Sequence, residues 1–201
     1  MGKFNVAVLI SGNGSNLQAL IDKFASSSLI NICCVISNEK EAYGLERAHN
    51  ANINTHFIDH KAHTSREDFE KKLIVCLDKY SPNLIVLAGF MRILSNLFVE
   101  EFKGKLINIH PSLLPKYKGL DTHKRVIEAK EQYHGVTVHF VDNTLDGGPI
   151  CAQSQFKVTT NNIKELEKEI HKLEHELYPA VVNDIATKKI FLSDGEVIRK
   201  Q

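Results

Sequence analysis

Three polar residues in the second half of the chain have the types and spacing needed for acyl transfer. Asn108 and His110 are two positions apart at the end of an apolar run, and Asp146 lies in a glycine-rich turn. Side chains two apart on a strand share a face, so the amide and the imidazole would emerge together. Together they could stabilise an oxyanion and move protons, and a nearby carboxylate would favour the imidazolium. Asp-Gly-Gly is equally typical of a plain hairpin turn.

A second candidate site is the glycine-rich segment 11–16, which follows the first apolar run. A turn between a strand and a helix presents backbone N–H groups that suit a phosphate. The segment is not a dinucleotide fingerprint, because Leu17 stands where that pattern needs glycine, and it lacks the lysine of a P-loop. We therefore expect a mononucleotide-sized phosphate here. The alternative is a simple turn in which Ser15 or Asn16 caps the following helix.

The cysteines indicate structural rather than catalytic roles. Cys33, Cys34, Cys76 and Cys151 lack C-x-x-C spacing, and each lies in an apolar stretch. We expect them to be buried, with burial raising the pKa of each thiol.

The histidines do not have the arrangement of a metal site. His171 and His175 are four apart, but Glu174 adjoins the second histidine, whereas a zincin motif places glutamate beside the first. A second group of histidines, His56, His60 and His63, has spacing that metal ligands can have. Because it lacks thiolate or carboxylate partners, we interpret it as a polar loop. No metal cofactor is predicted.

Length and charge restrict the function classes. The 201 residues fit one large domain, and 25 basic against 24 acidic residues leave a formal charge of +1. That balance argues against nucleic-acid and anionic-membrane partners, so an anionic ligand must be held by local contacts. The N-terminus lacks the pattern of a signal peptide and no segment is a membrane span, which predicts a cytoplasmic protein. Its oligomeric state stays open between monomer and homodimer.

The elements that must hold these residues alternate between apolar strands and amphipathic helices, which predicts an α/β fold with a doubly wound, mostly parallel sheet. A loop rich in proline and lysine follows at 111–119. An antiparallel strand pair, a long helix that Pro179 kinks before it resumes, and a terminal hairpin complete the chain. The predicted strands are 5–10, 32–37, 55–58, 84–87, 106–109, 135–141, 149–158, 190–192 and 197–198. The predicted helices are 15–24, 43–50, one capped at 65–68, 95–102, 122–129 and 161–178.

The chain resembles the phosphoribosylglycinamide formyltransferases, folate-dependent enzymes of purine biosynthesis. The matching segments occur in family order along nearly the whole chain: SGNGSN at 11–16, SRE at 65–67, VLAGFMRIL at 86–94, NIHPSLLPKY at 108–117, LDGGP at 145–149 and EHELYP at 174–179. The resemblance implies a single formyltransferase domain over 1–201, with a nucleotide-binding half to about 105 and a catalytic, folate-binding half from about 106. It also implies transfer of a formyl group from 10-formyltetrahydrofolate to the amine of glycinamide ribonucleotide (5-phosphoribosylglycinamide), without a metal.

The resemblance also implies a role for each matching residue. Asn108 donates to the oxyanion, His110 is the general acid, and Asp146 supports the imidazolium and relays a proton. The substrate-binding residues are Gly14, Ser15 and Asn16 for the phosphate, Arg66 for a further contact and Glu174 for the ribose. The folate-enclosing residues are Met91, Arg92, Ile93, Leu94, Phe140, Val141, Asp142, Asn143, Thr144, Leu145 and Asp146, together with Asn108.

Two positions depart from the family pattern, and other functions remain as alternatives. Asp121 stands where a histidine is usual, and His171 replaces an amide. Asp121 would either alter the electrostatics around His110 or face solvent. The alternatives are a formyltetrahydrofolate hydrolase, a methionyl-tRNA formyltransferase and a non-catalytic nucleotide or folate sensor. The first two carry an additional domain for which 201 residues leave no room, and a sensor has no need of the intact trio.

Overall fold

A computed structural model describes residues 2–200 of the chain. It divides into two compact units, the first ending at Ile107 and the second beginning at Asn108. Strand β5 (Leu106–His110) spans this boundary.

The first unit alternates strands and helices. Its strands are β1 (Phe4–Ile10), β2 (Ile30–Ser37), β3 (Asn54–Phe57) and β4 (Leu84–Leu87). Its helices are α1 (Ser15–Phe24), α2 (Tyr43–Asn50), α3 (Arg66–Asp78) and α4 (Asn96–Glu101), with a 3₁₀ turn at His60–Ala62. Strand β1 pairs in parallel with β2 and β4, and β2 with β3. Every residue of β4 is buried, as expected for a parallel strand covered on both faces.

The second unit is built around an antiparallel strand pair and a long helix. It contains α5 (Thr122–Glu128), β6 (Tyr133–Phe140), β7 (Ile150–Lys157) and α6 (Ile163–Ala186), followed by the hairpin β8 (Ile190–Ser193) and β9 (Glu196–Arg199). Strands β6 and β7 pair antiparallel. Helix α6 packs on both of them, and its buried positions recur every three or four residues.

Seven strands form one sheet in the order β3-β2-β1-β4-β5-β6-β7, and β8 and β9 form a separate two-stranded sheet. The predicted α/β class, with a mostly parallel sheet and an antiparallel C-terminal portion, is confirmed. Strand bounds agree with the predictions to within two residues, because the apolar runs that define the strands are also their buried segments. The last helix ends eight residues after the 178 at which its apolar period was marked.

The long helix resumes after Pro179 as expected, whereas the alternative of a side-chain cap on α1 is wrong. Helix α6 is one helix of 24 residues with Pro179 inside it. Proline removes one N–H group, but Tyr178, Val181 and Val182 are all buried and hold the helix in place across that position. The N-cap of α1 is Gly14, with no side-chain cap, so neither Ser15 nor Asn16 caps it.

All four cysteines are unpaired and buried, as predicted. Burial raises the pKa of Cys76, and that of Cys151 to about 12. A hydrogen bond between Cys33 and Cys34 raises the pKa of Cys34 and lowers that of Cys33. Burial by itself raises the pKa of Cys33 as predicted, but the hydrogen bond to Cys34 outweighs it and leaves that pKa lowered.

No helix among residues 2–200 combines the length and the apolar character needed to cross a membrane.

Candidate functional site

The predicted phosphate-binding turn lies between β1 and α1 in the first unit. Gly14 adopts a left-handed conformation, with φ of 74°, and Ser15 is the first residue of the helix. The start of a helix presents backbone N–H groups that the helix itself does not use. An anionic group placed there would receive hydrogen bonds and a favourable helix dipole.

Two residues that sequence reasoning missed shape this turn. Arg47 on α2 donates from Nε to the carbonyl oxygen of Asn13 at 2.9 Å, and from Nη2 to the Asn13 side chain at 3.1 Å. Gly44, also on α2, donates its N–H to the carbonyl of Gly12 at 3.0 Å. A glycine inside a helical pattern was the available signal, because such a residue often marks a close approach of two backbones.

Replacing Gly14 with alanine is expected to lower the free energy of unfolding by about 1–3 kcal/mol. An added Cβ would lie 2.8 Å from the Cα of Gly44, and the residue would keep a positive φ. Urea denaturation measures the change. Gly12→Ala is the matched comparison, because a Cβ there meets nothing within 4 Å, and it should cost under about 0.5 kcal/mol. Equal losses at the two positions would contradict this account of the turn.

The other predicted binding residues of the first unit lie at its surface. Arg66 is exposed at the first position of α3, where Ser65 caps the helix by accepting from the N–H of Asp68. Met91 and Ile93 are also exposed, in the segment between β4 and α4. Exposed apolar side chains next to a candidate site are available to a ligand.

The predicted catalytic residues come together in the second unit. His110 ends β5, and its Nδ1 lies 3.4 Å from Oδ2 of Asp146. The other ring nitrogen, Nε2, lies 2.9 Å from the carbonyl oxygen of Tyr117. A carbonyl oxygen can only accept, so Nε2 carries a proton. An imidazolium has a proton on each ring nitrogen and could therefore donate to both oxygen atoms.

Asn108 joins the group through a histidine that sequence reasoning did not select. Its Nδ2 lies 3.3 Å from Nε2 of His139, whose Nδ1 donates to the carbonyl of Phe140 at 2.8 Å. The Nδ1 proton leaves Nε2 as the acceptor, so the Asn108 amide donates to it. Burial lowers the pKa of His139, which keeps this neutral form.

Asp146 lies between the two histidines. Its Oδ1 is 4.0 Å from Nε2 of His139, and its Oδ2, which faces His110, also accepts from the N–H of Gly119 at 2.8 Å. The side chains of His110, His139 and Asp146 are 8%, 3% and 12% exposed. Charge interactions are stronger in such surroundings than in water.

The predicted folate-binding segment 140–146 begins at Phe140, the last residue of β6, and continues as a loop. Asp142 accepts from the N–H of Thr144 at 2.8 Å and from its hydroxyl at 2.6 Å. A Cβ on Gly148 would lie 2.0 Å from the carbonyl oxygen of Phe140, so that glycine allows the loop to close on itself. Leu145 is exposed, whereas Phe140 is fully buried.

The remaining predicted residues of the second unit lie on helices. Glu174 is buried on α6. His171 and His175 on the same helix stack with ring centroids 6.1 Å apart. Asp121 is the exposed N-cap of α5, which supports the solvent-facing alternative for this departure from the family pattern. Within residues 2–200, no three His, Cys, Asp or Glu side chains are placed to hold a metal ion.

The neighbouring histidines His123 and His134 are expected to make the free energy of unfolding sensitive to acid. Burial lowers the pKa of His134 to about 4, and its Nε2 lies 2.9 Å from Nδ1 of His123. Because this pKa is below the unfolded value, stability is full above pH 6.5 and falls as the pH drops towards 4. The loss from His134 is roughly 2–3 kcal/mol. Urea denaturation between pH 7 and pH 4 should show a smaller loss of unfolding free energy for His134→Gln than for wild type. An equal pH dependence in the two proteins would contradict this role of His134.

Comparison with known proteins gives one consistent family. A family model described as formyl transferase matches residues 4–182. Phosphoribosylglycinamide formyltransferase of Escherichia coli (strain K12) is 45% identical over 193 residues, which are 95% of this chain and 91% of that protein. The structure of the enzyme of the same name from Coxiella burnetii aligns with a TM-score of 0.94 at 46% identity, covering 98% and 94% of the two chains. Glycinamide ribonucleotide transformylase 1 from Symbiobacterium toebii aligns with a TM-score of 0.95 at 34% identity, covering 99% and 95%. The chain belongs to the formyl transferase family.

Proposed function

We propose that the protein transfers the formyl group of 10-formyltetrahydrofolate to the amine of 5-phosphoribosylglycinamide, a step of purine biosynthesis. The observation that carries this proposal is the mostly buried Asp146 carboxylate between His110 and His139, with the Asn108 amide on His139. This arrangement supplies two N–H donors and a proton carrier, which formyl transfer requires. The names of the relatives that match nearly the full chain support the same substrates.

In the proposed reaction the substrate amine attacks the formyl carbon, and the carbonyl electrons move onto oxygen. The Asn108 amide and the Nε2–H of His110 donate to this oxyanion, and each contributes on the order of 3 kcal/mol. The oxyanion replaces the Tyr117 carbonyl, which accepts from Nε2 in this structure. Asp146 stabilises the positive charge of the imidazolium.

Collapse of the tetrahedral intermediate breaks the bond between the formyl carbon and the folate nitrogen. That nitrogen takes up a proton and tetrahydrofolate departs, while the attacking amine loses its proton. His110 and Asp146 handle these transfers, because they are the titratable pair at the reacting carbon. Holding both reactants supplies much of the remaining acceleration.

The binding roles in this proposal follow the matched segments. Gly14, Ser15 and Asn16 hold the substrate phosphate, supported by the helix start in the turn. Arg66 adds a substrate contact and Glu174 binds the ribose hydroxyls. The segments 91–94 and 140–146 enclose the folate, with backbone groups that recognise the pterin. Their exposed apolar residues Met91 and Leu145 support that role.

A direct assay tests the proposed activity. Purified protein with both substrates should release tetrahydrofolate only when 5-phosphoribosylglycinamide is present. Release in its absence would indicate the hydrolase instead. Binding of either ligand without any release would indicate a sensor.

We also infer that the protein acts in the cytoplasm, and cell fractionation followed by immunoblotting would test this. Its assembly is proposed as monomer or homodimer, and light scattering would distinguish the mass of one chain from that of two.

A further inference from the structure

A buried carboxylate in the first unit has no part in the chemistry described above. Glu70 on α3 is only 1% exposed. Its Oε1 accepts from the backbone N–H of Ser95 at 2.8 Å, and its Oε2 accepts from the Ser95 hydroxyl. Ser95 is the N-cap of α4, but its hydroxyl makes no cap bond within that helix. Both hydrogen-bond donors of Ser95, the backbone N–H and the hydroxyl, are therefore directed at Glu70.

This pair fixes one end of the segment 91–94. At the other end, the N–H of Met91 donates to the hydroxyl of Ser11 at 2.8 Å. The intervening residues form neither helix nor strand. Two contacts with side chains from other parts of the first unit thus hold a short irregular segment at both ends.

The same segment exposes apolar side chains that the first unit leaves uncovered. Met91 is 71% exposed and Ile93 is 64% exposed. Single exposed apolar residues are ordinary, but two of them on a segment anchored at both ends form a rigid surface for a ligand.

We propose that Glu70 is a positioning residue for folate binding, which acts by fixing Ser95 and thereby the backbone of 91–94. The inference rests on the proposed function, which assigns this segment to the folate. A displaced Ser95 would leave the carboxylate buried without its two donors, a costly state that opposes movement of the segment. Glu70 would therefore preorganise the segment, so that folate binding does not have to order it.

The test compares two substitutions of Glu70 in the full chain. Glu70→Leu keeps a side chain of similar size but accepts no hydrogen bond, and it should raise the KM for 10-formyltetrahydrofolate about tenfold. Its KM for 5-phosphoribosylglycinamide should stay within about twofold. Glu70→Gln keeps an oxygen acceptor for the Ser95 N–H and should restore the folate KM to within about threefold of wild type. A purely structural role would lower the melting temperature without this separation of the two KM values.

Asp78→Leu is the matched control, because it removes an exposed acid from the same helix. Its folate KM should equal that of wild type. A folded Glu70→Leu protein with an unchanged folate KM would overturn the proposal. If Glu70→Leu does not fold, Ser95→Ala removes the hydroxyl donor alone and should raise the folate KM about threefold. No rise in that variant would equally overturn it.

Binding of tetrahydrofolate, measured by calorimetry, separates failure of this inference from failure of the proposed function. A wild-type protein that binds tetrahydrofolate but transfers no formyl group would refute the proposed function. The ratio of Kd values between Glu70→Leu and wild type would still decide the inference: about tenfold supports it, and a ratio of one overturns it.

Discussion

Replacing His110 with alanine is expected to lower kcat by about 10²- to 10⁴-fold, the usual contribution of a general acid–base group. The imidazole contacts Asp146 on one side and presents its Nε2–H on the other. Alanine removes both the oxyanion donor and the proton carrier. The two KM values should change only a few fold, because these interactions develop in the transition state. Steady-state assays with both substrates provide the measurement.

The loss must be separated from unfolding, because His110 is buried. Circular dichroism and thermal unfolding should show a folded His110→Ala protein. His49→Ala removes an exposed histidine from α2 and should keep wild-type kinetics. Wild-type turnover in His110→Ala would refute the assigned mechanism.

The spacing of apolar residues predicted the fold because most helices and strands bury the residues that this spacing places on one face. Strand β4 is a continuous apolar run and is buried at every position. Helix α1 buries Leu17, Leu20 and Phe24, which share one face of a helix. Helix α6 continues past Pro179 because burial of the neighbouring residues outweighs the poor helix propensity of proline, which a single-residue rule does not include.

The site was predictable where its residues lie in short motifs and not where partners are distant in the chain. Asn108 and His110 are two residues apart, and the glycine-rich turn marks Asp146. His139 is 31 residues from the Asn108 amide that it accepts from. Glu70 and Ser95 are 25 residues apart. Only the pairing of strands and helices shows that these side chains meet.

Replacing Asp146 with asparagine is expected to lower kcat about 10²- to 10³-fold while the loop keeps its shape. Asp146 has φ of 45°, and asparagine is among the few residues that tolerate this conformation. Its side-chain oxygen can still accept from the N–H of Gly119, a bond of 2.8 Å in this structure. What disappears is the negative charge facing His110, so the substitution isolates an electrostatic contribution. Steady-state measurement of tetrahydrofolate release determines the decrease in kcat.

Asp194→Asn is a close control, because Asp194 has φ of 51° and lies exposed in the β8–β9 turn. It makes the same chemical change in the same backbone conformation and should leave kcat unaltered. The double variant of His110→Ala with Asp146→Asn should be no slower than His110→Ala alone, since residues that act as a unit are not additive. If the two losses multiply instead, Asp146 acts independently of His110. A wild-type rate in Asp146→Asn would show that the carboxylate charge is not used in catalysis.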